Sequence, residues 1–481
     1  MNAPIVGFTL GILINLTGLA MAVPFIVELV DHGPNVGVFF EAMAFSVFLG
    51  TSLILANKHR TIKVTRKSMF LLTAMSWLTV SAVAAIPLYA SNLDISFTDA
   101  FFEAVSGITT TGSTILSGLD GMSRGILLWR SIIQWIGGMG LIAFAIVFLP
   151  FLRIGGMELF HTESSDRSDK IMPRASDMIF SLVKVYCLLT LACFVTYHQL
   201  GMGMFEAVNH ALTTICTGGY STHDASFGYY DSYALHMAAS FFMLLGGLPF
   251  VLYVRFLFQG RFAFFEDTQF KTILAVLAIL IAIMTMWLWT HDVYSFADSF
   301  RYAAFNIVSV ITTTGYATAD YMQWGGFAVM FMFFITYLGC CTGSTSGGIK
   351  IMRLITLQKA MSRLIKSLIV PNGIFTMTYE NKRLPDEVVN TVLGFLFLFV
   401  VSNAVLTIAL LFVGLDFESA ISGAATALAN VGPGIGSIIG PAGNFQPLPD
   451  SAKWLLCIGM LVGRLEIMTV AVLFSSLYWR K

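Results

Sequence analysis

The chain has 481 residues, of which 57% are hydrophobic and 11% charged, and its 27 Lys and Arg balance 27 Asp and Glu. Soluble domains carry roughly 25% charged residues, so a soluble enzyme, a nucleic-acid-binding protein and a disordered chain are excluded. A net charge of zero also offers no global attraction to a polyanion or polycation.

A membrane-crossing helix needs about 20 apolar residues for roughly 30 Å of hydrocarbon. Such runs occupy 4–29 and 37–57, forming an N-terminal transmembrane pair over 1–66. The first run lacks a basic leader and is too long for a signal peptide. Four further units follow, over 67–174, 175–271, 272–387 and 388–481. Their paired runs are 68–90 with 126–152, 177–199 with 232–256, 272–290 with 326–350, and 388–413 with 454–479.

Basic residues set the orientation. Each even-numbered run exits into a basic segment, beginning with Lys58, Arg60, Lys63, Arg66 and Lys67 and ending with Arg480 and Lys481. Arg124, Arg130, Arg301 and Lys453 are assigned to the opposite side, and Lys184, Lys350 and Arg464 fall within apolar runs. Both termini are therefore expected in the cytoplasm. Lys184 lies near its run's end and is read as snorkelling. Cys187, Cys193, Cys216, Cys340, Cys341 and Cys457 show no C-x-x-C spacing and read as small packing residues.

The connections 91–125, 200–231, 291–325 and 414–453 each hold an amphipathic stretch and a Gly-containing return. SFTDAFFEAVSGITTTG (96–112) aligns without a gap over SFRYAAFNIVSVITTTG (299–315), identical at eleven of 17 positions. FESAISGAATALANVG repeats the spacing of Phe417 and Ala420 before Gly432, whereas FEAVNHALTTICTGG keeps the order of features but not the spacing. Repetition on this scale implies pseudo-symmetric units sharing a site on a common axis.

The residue types fit a cation path. An ion entering hydrocarbon must exchange water for other oxygens, and rings of backbone carbonyls supply them without net charge. The Thr-Thr-Thr run, branched at Cβ, favours an extended backbone, and the following Gly allows carbonyls to turn toward one axis. A short helix ending there adds its negative dipole end. Non-helical backbone at this depth must be buried or line a watery cavity, which calls for a central pore. Glu103, Glu206 and Glu418 are read at the favourable N-terminal ends of the short helices, and His210 as a packed side chain.

Gly339, Gly343, Gly347 and Gly348, interleaved with Ser344, Thr345 and Ser346, interrupt the eighth run. The alternatives are a small-residue packing face and an unwound hinge. Arg464, near the middle of the last run, is either functional or satisfied by loop carbonyls or Glu466.

ITTTGST (108–114), TICTGGYST (214–222), ITTTGYATAD (311–320) and NVGPGIG (430–436) in one chain resemble the filter segments of the Trk/Ktr/HKT superfamily of K⁺ transport proteins. The extra N-terminal pair is most similar to its TrkH branch. The resemblance implies an all-α polytopic membrane protein of four helix–pore loop–helix units around a central pore. It implies gated, channel-like K⁺ uptake across a bacterial inner membrane, with a symporter coupled to H⁺ or Na⁺ as the alternative. Carried over by residue, K⁺ is held by Thr110, Thr111 and Gly112, by Cys216, Thr217 and Gly218, by Thr313, Thr314 and Gly315, and by Asn430, Val431 and Gly432. The same resemblance assigns a gate to Gly343, Ser344, Thr345, Ser346, Gly347, Gly348, Lys350 and Arg464. It further implies a homodimer working with a cytosolic nucleotide-binding subunit of the TrkA type, and no cofactor beyond the transported K⁺. An enzyme reading fares poorly: the histidines are scattered, and the one G-x-S-x-G string (121–125) lacks a strand-to-helix elbow.

Overall fold

The computed structural model describes residues 3–58, 66–147, 175–260, 263–380 and 382–480. The basic segment 153–174, and His59, Arg60 and Lys63 after the second run, lie outside the described residues. In chain order the helices are α1 (Ala3–Ala20), α2 (Ala22–Val30), α3 (Val36–Asn57), α4 (Arg66–Ala90), α5 (Phe97–Ile108), α6 (Arg124–Val147), α7 (Ala175–Gln199), α8 (Met204–Ile215), α9 (Tyr233–Gly247), α10 (Phe250–Gln259), α11 (Thr268–Thr290), α12 (Phe296–Ile311), α13 (Gly326–Ile335), α14 (Ile351–Ile369), α15 (Asp386–Phe412), α16 (Phe417–Ala429), α17 (Asp450–Arg464), α18 (Ile467–Phe474) and α19 (Ser476–Trp479). The only strands among the described residues are a two-residue hairpin pairing Thr378 with Arg383 and Tyr379 with Lys382. The chain is an all-helical, multi-pass membrane protein.

Among the described residues six segments are long and apolar enough to span a bilayer, among them Val36–Asn57, Thr268–Thr290 and Asp386–Phe412. Their outward faces fit lipid: Phe397, Val400, Ile408 and Phe412 of α15 are all exposed. The N-terminal pair crosses on small residues, where a methyl group on Gly11 would stand 2.7 Å from the Gly50 carbonyl oxygen. Buried Glu28 joins this pair to the start of α6, accepting from the Gly125 and Asn35 amides at 3.0 and 3.2 Å.

Three runs depart from simple spans. The eighth is helical only to Ile335 and then irregular until Ile351, as the interleaved glycines imply. The runs at 232–256 and 454–479, read as continuous spans, are each broken. α9 and α10 meet at 91°, and α17 and α18 at 109°. The first break follows from Gly246-Gly247-Leu248-Pro249: Gly lowers helix propensity, and Pro249, with φ −64°, starts α10 without needing an amide donor. The second has Gly463 near the end of α17 but no proline. Glu466 takes the left-handed region at φ 64°, and its carboxylate meets Arg353 on α14.

Candidate functional site

Four short helices, α5, α8, α12 and α16, have buried C-terminal ends and stop inside the protein. Three have the side-chain caps that begin a helix cleanly. Ser96, Ser295 and Asp416 accept from the amides of Asp99, Asp298 and Ser419 at 3.1, 3.2 and 3.0 Å. Ser295 lies a turn before Ser299, so α12 begins earlier than the repeat alignment implies. Glu206 and Glu418 occupy first turns as expected, but Glu103 sits mid-helix and fully buried.

All four helices end alike. The amides of Thr110, Thr217, Thr313 and Asn430 reach back to the carbonyls of Gly107, Thr214, Val310 and Ala427. Those of Thr111, Gly218, Thr314 and Val431 reach Ser106, Thr213, Ser309 and Thr426. This double return is the Schellman arrangement, which usually places Gly at the left-handed corner. Here the corners are Thr110, Thr217, Thr313 and Asn430, with φ of 53°, 52°, 60° and 54°. A β-branched residue in that region is strained by about 1–2 kcal/mol. The Thr runs are thus tightly turned at their start, not extended, because satisfying the helix carbonyls outweighs the β preference of Thr. Neighbouring hydroxyls brace the turns, with Thr109 and Thr111 2.7 Å apart and Thr312 and Thr314 2.8 Å apart.

Beyond the corners the four returns close into a ring. A methyl group on Gly112 would stand 2.3 Å from the Gly218 oxygen, and one on Gly219 1.8 Å from the Thr314 oxygen. On Gly315 it would meet the Gly432 amide nitrogen at 2.9 Å, and on Gly432 the Gly112 carbonyl at 3.2 Å. Each return therefore abuts the next, and the last abuts the first. The hydrogen-bond register makes Gly219 the equivalent of Gly112, Gly315 and Gly432. Sequence spacing selected Gly218, one residue early, because Cys216-Thr217-Gly218-Gly219 offers two glycines. Gly112, Gly219 and Gly315 share φ of 86°, 81° and 83°. In this register Cys216 is the cap residue matching Thr109 and Thr312.

The supporting roles of Gln134 and Arg130 escaped sequence reading, whereas His210 was read as a packed side chain. Gln134 on α6 donates to the Gly218 oxygen at 2.7 Å and accepts from the Tyr220 amide at 3.1 Å. Arg130, assigned by sequence to an aqueous face, is buried and pairs with Glu103 at 2.8 Å while donating to the Ser221 oxygen. It also lies over the Tyr220 ring. Together they fasten the first return to the second. His210 is fully buried, with its ring nitrogens 2.9 Å from the Glu206 oxygen and 3.0 Å from the Ser221 hydroxyl. A lone charge in an apolar run hinted at Arg130; nothing local marked Gln134.

The irregular segment 336–350 lies against three of the four corners. Thr217 donates to the Thr345 hydroxyl at 3.1 Å, and the Gly347 amide donates to the Thr313 hydroxyl at 2.7 Å. A methyl group on Gly347 would fall 2.2 Å from the Ala429 oxygen and 3.0 Å from Asn430 Cβ. The Thr110 hydroxyl, at the remaining corner, has no partner among the described residues. The segment is pinned from elsewhere too: the Cys341 amide donates to Gly247 at 3.1 Å, and the Phe250 amide to Gly343 at 3.0 Å. Within it Ser344 bonds Cys341 and Ser346, and Lys350 Nζ bonds the Ser346 oxygen. Gly343 and Gly348 take φ of 80° and 66°. Arg464 does not lie in mid-helix: it ends α17 at the break, and its Nη1 donates to the Thr345 oxygen at 3.0 Å.

Comparison with known proteins is consistent over nearly the whole length. The family model TrkH, described as cation transport protein, matches residues 36–481. The chain is 46% identical over 462 residues to the Trk system potassium uptake protein TrkI of Halomonas elongata, covering 96% of this chain and 94% of that protein. It is 35% identical to the Trk system potassium uptake protein TrkH of Escherichia coli K12, covering 98% of each. The crystal structure of the potassium transporter TrkH from Vibrio parahaemolyticus superposes with a TM-score of 0.92 at 33% identity, covering all of both chains.

Proposed function

The chain belongs to the TrkH family of cation transport proteins, and from that premise we propose that it is a potassium uptake protein conducting K⁺ through a gated pore at the ring of four returns. The closed cycle from Gly112 to Gly218–Gly219, Gly315, Gly432 and back is the observation that carries the reading. Turns that converge on one point bring backbone carbonyls to an ion without fixed charge, so the ion is held yet released. Four helix C-terminal ends add partial negative charge at the same place. The ion ligands are carbonyls of Thr110–Gly112, Thr217–Gly219, Thr313–Gly315 and Asn430–Gly432.

The segment 336–350 is the gate. It meets the corner residues of three returns, and with Lys350 at its end and Arg464 beside it, cationic side chains oppose passage while it is in place. The protein resides in the bacterial inner membrane with cytoplasmic termini. It works as a homodimer with a cytosolic nucleotide-binding partner, which the family resemblance supports. Rb⁺ flux into proteoliposomes without a pH or Na⁺ gradient tests the mechanism. Flux driven by the Rb⁺ gradient alone is expected, and a strict requirement for H⁺ or Na⁺ would replace the channel reading with a symporter.

A further inference from the structure

A cavity of about 30 Å³ lies where the irregular segment meets the break in the last span, lined in part by Ser346, Lys350, Arg353, Asn430, Arg464 and Glu466. Its walls bring three cationic side chains to one carboxylate. That carboxylate is taken: Glu466 Oε2 accepts from Arg353 Nη2 at 2.5 Å. Arg464 is only 3% exposed, and beyond the Thr345 oxygen its Nε and Nη2 have no acceptor among the described residues. Arg353 Nε is also buried without an acceptor. Two helices begin at the same place, α14 after Lys350 and α18 after Glu466, and neither has a side-chain cap. Their positive ends add to the cationic excess.

Buried guanidinium N–H groups left unpaired are unfavourable, and a surplus of buried positive charge is more so. Water would accept the hydrogen bonds but leave the charge. We infer that this cavity is an anion site for a single halide-sized ion, such as chloride. That space exceeds the roughly 10–15 Å³ that one water-sized sphere requires, so a monatomic anion fits beside the guanidinium groups. An anion there joins Arg464 of α17 to Lys350 and Arg353 at the start of α14, and so fastens the segment between them. A ligand that binds one arrangement stabilises it. This effect on conduction rests on the gate reading above, whereas the site itself does not.

The test replaces chloride with bromide during crystallisation and collects data at the bromine absorption edge. One anomalous peak is expected within hydrogen-bonding reach of Arg464 Nε or Nη2, and none in crystals of Arg464→Gln. Arg353→Gln, which also removes a cavity donor, serves as the second variant and should weaken the peak. A wild-type map with no peak in the cavity, or a peak unchanged in both variants, overturns the site. In proteoliposomes at fixed K⁺, exchange of chloride for gluconate should raise basal Rb⁺ flux roughly threefold, the change for an anion at about twice its Kd. Anion-independent flux with the bromide peak present overturns the link to the gate alone. An empty cavity with selective Rb⁺ flux intact overturns the site and leaves the conduction reading standing.

Discussion

Gly219→Ala compared with Gly218→Ala separates the structural register from the sequence register. At Gly219 the new methyl would stand 1.8 Å from the Thr314 oxygen, and ordinary contact begins at 3.4 Å. That carbonyl must retreat by about 1.6 Å, far more than a packed interior absorbs, and it belongs to the neighbouring return. Losing one charge-assisted contact costs about 1.5–3 kcal/mol; where K⁺ loses it and the smaller Na⁺ does not, that is at about 1.4 kcal/mol per decade up to roughly a 10- to 150-fold loss of K⁺ over Na⁺ preference. The φ of 81° adds about 1–2 kcal/mol against folding. At Gly218 the methyl would meet side-chain atoms, Gln134 Oε1 at 2.4 Å and Cys216 Sγ at 2.9 Å. Swinging Gln134 aside sacrifices two hydrogen bonds, about 1–3 kcal/mol of stability, but leaves the other three returns in place. Rb⁺ uptake under Na⁺ competition, normalised to the protein in the membrane, reads the difference. Selectivity lost in Gly218→Ala and kept in Gly219→Ala would refute the register and the ring argument built on it.

The other expectations concern the ring, the gate and the frame. Gly432→Ala should be the mildest change in the ring, below about tenfold in selectivity, because its nearest contacts are at 3.2 Å and its φ is not positive; an effect equal to that of Gly219→Ala in the same uptake assay would contradict this. Gly347→Ala drives a methyl into the Ala429 oxygen, so the segment should lift and basal Rb⁺ flux rise, whereas unchanged or lower flux counts against the gate. Glu103→Gln leaves Arg130 buried without its partner and should cost about 3–5 kcal/mol, seen as a lower melting temperature in detergent. Glu103→Gln combined with Arg130→Met should recover part of that loss, and strict additivity of the two changes would show that the pair is not coupled.

The general plan was legible because hydrophobic length and a gapless repeat are strong signals, and both depend on local composition alone. The returns were found the same way, through ITTTG and its echo at 311–315. The register of the second return was not, since adjacent glycines leave spacing ambiguous and only the bonds from Thr217 and Gly218 back to α8 resolve it. The 91° bend was announced by Gly246-Gly247 and Pro249, yet the surrounding hydropathy masked it. The bend at Glu466 had only Gly463 to announce it, and the carboxylate's partner, Arg353, lies over a hundred positions away. Glu103 and Arg130 were misplaced for a related reason: a charge in an apolar run reveals its partner only once the chain has doubled back.

The bend between α9 and α10 and the irregular segment share backbone partners, and so they form a single mechanical part. If the segment withdraws alone, the carbonyls of Gly246 and Gly247 and the Phe250 amide lose the hydrogen bonds they now share with it. Hydrocarbon does not tolerate such bare groups, so either water floods in or α10 moves as well. α10 is ten residues long, about 15 Å from end to end. Were the segment to move, α10 would act as a rocker arm, because the Phe250 amide at its start is bonded to the Gly343 oxygen.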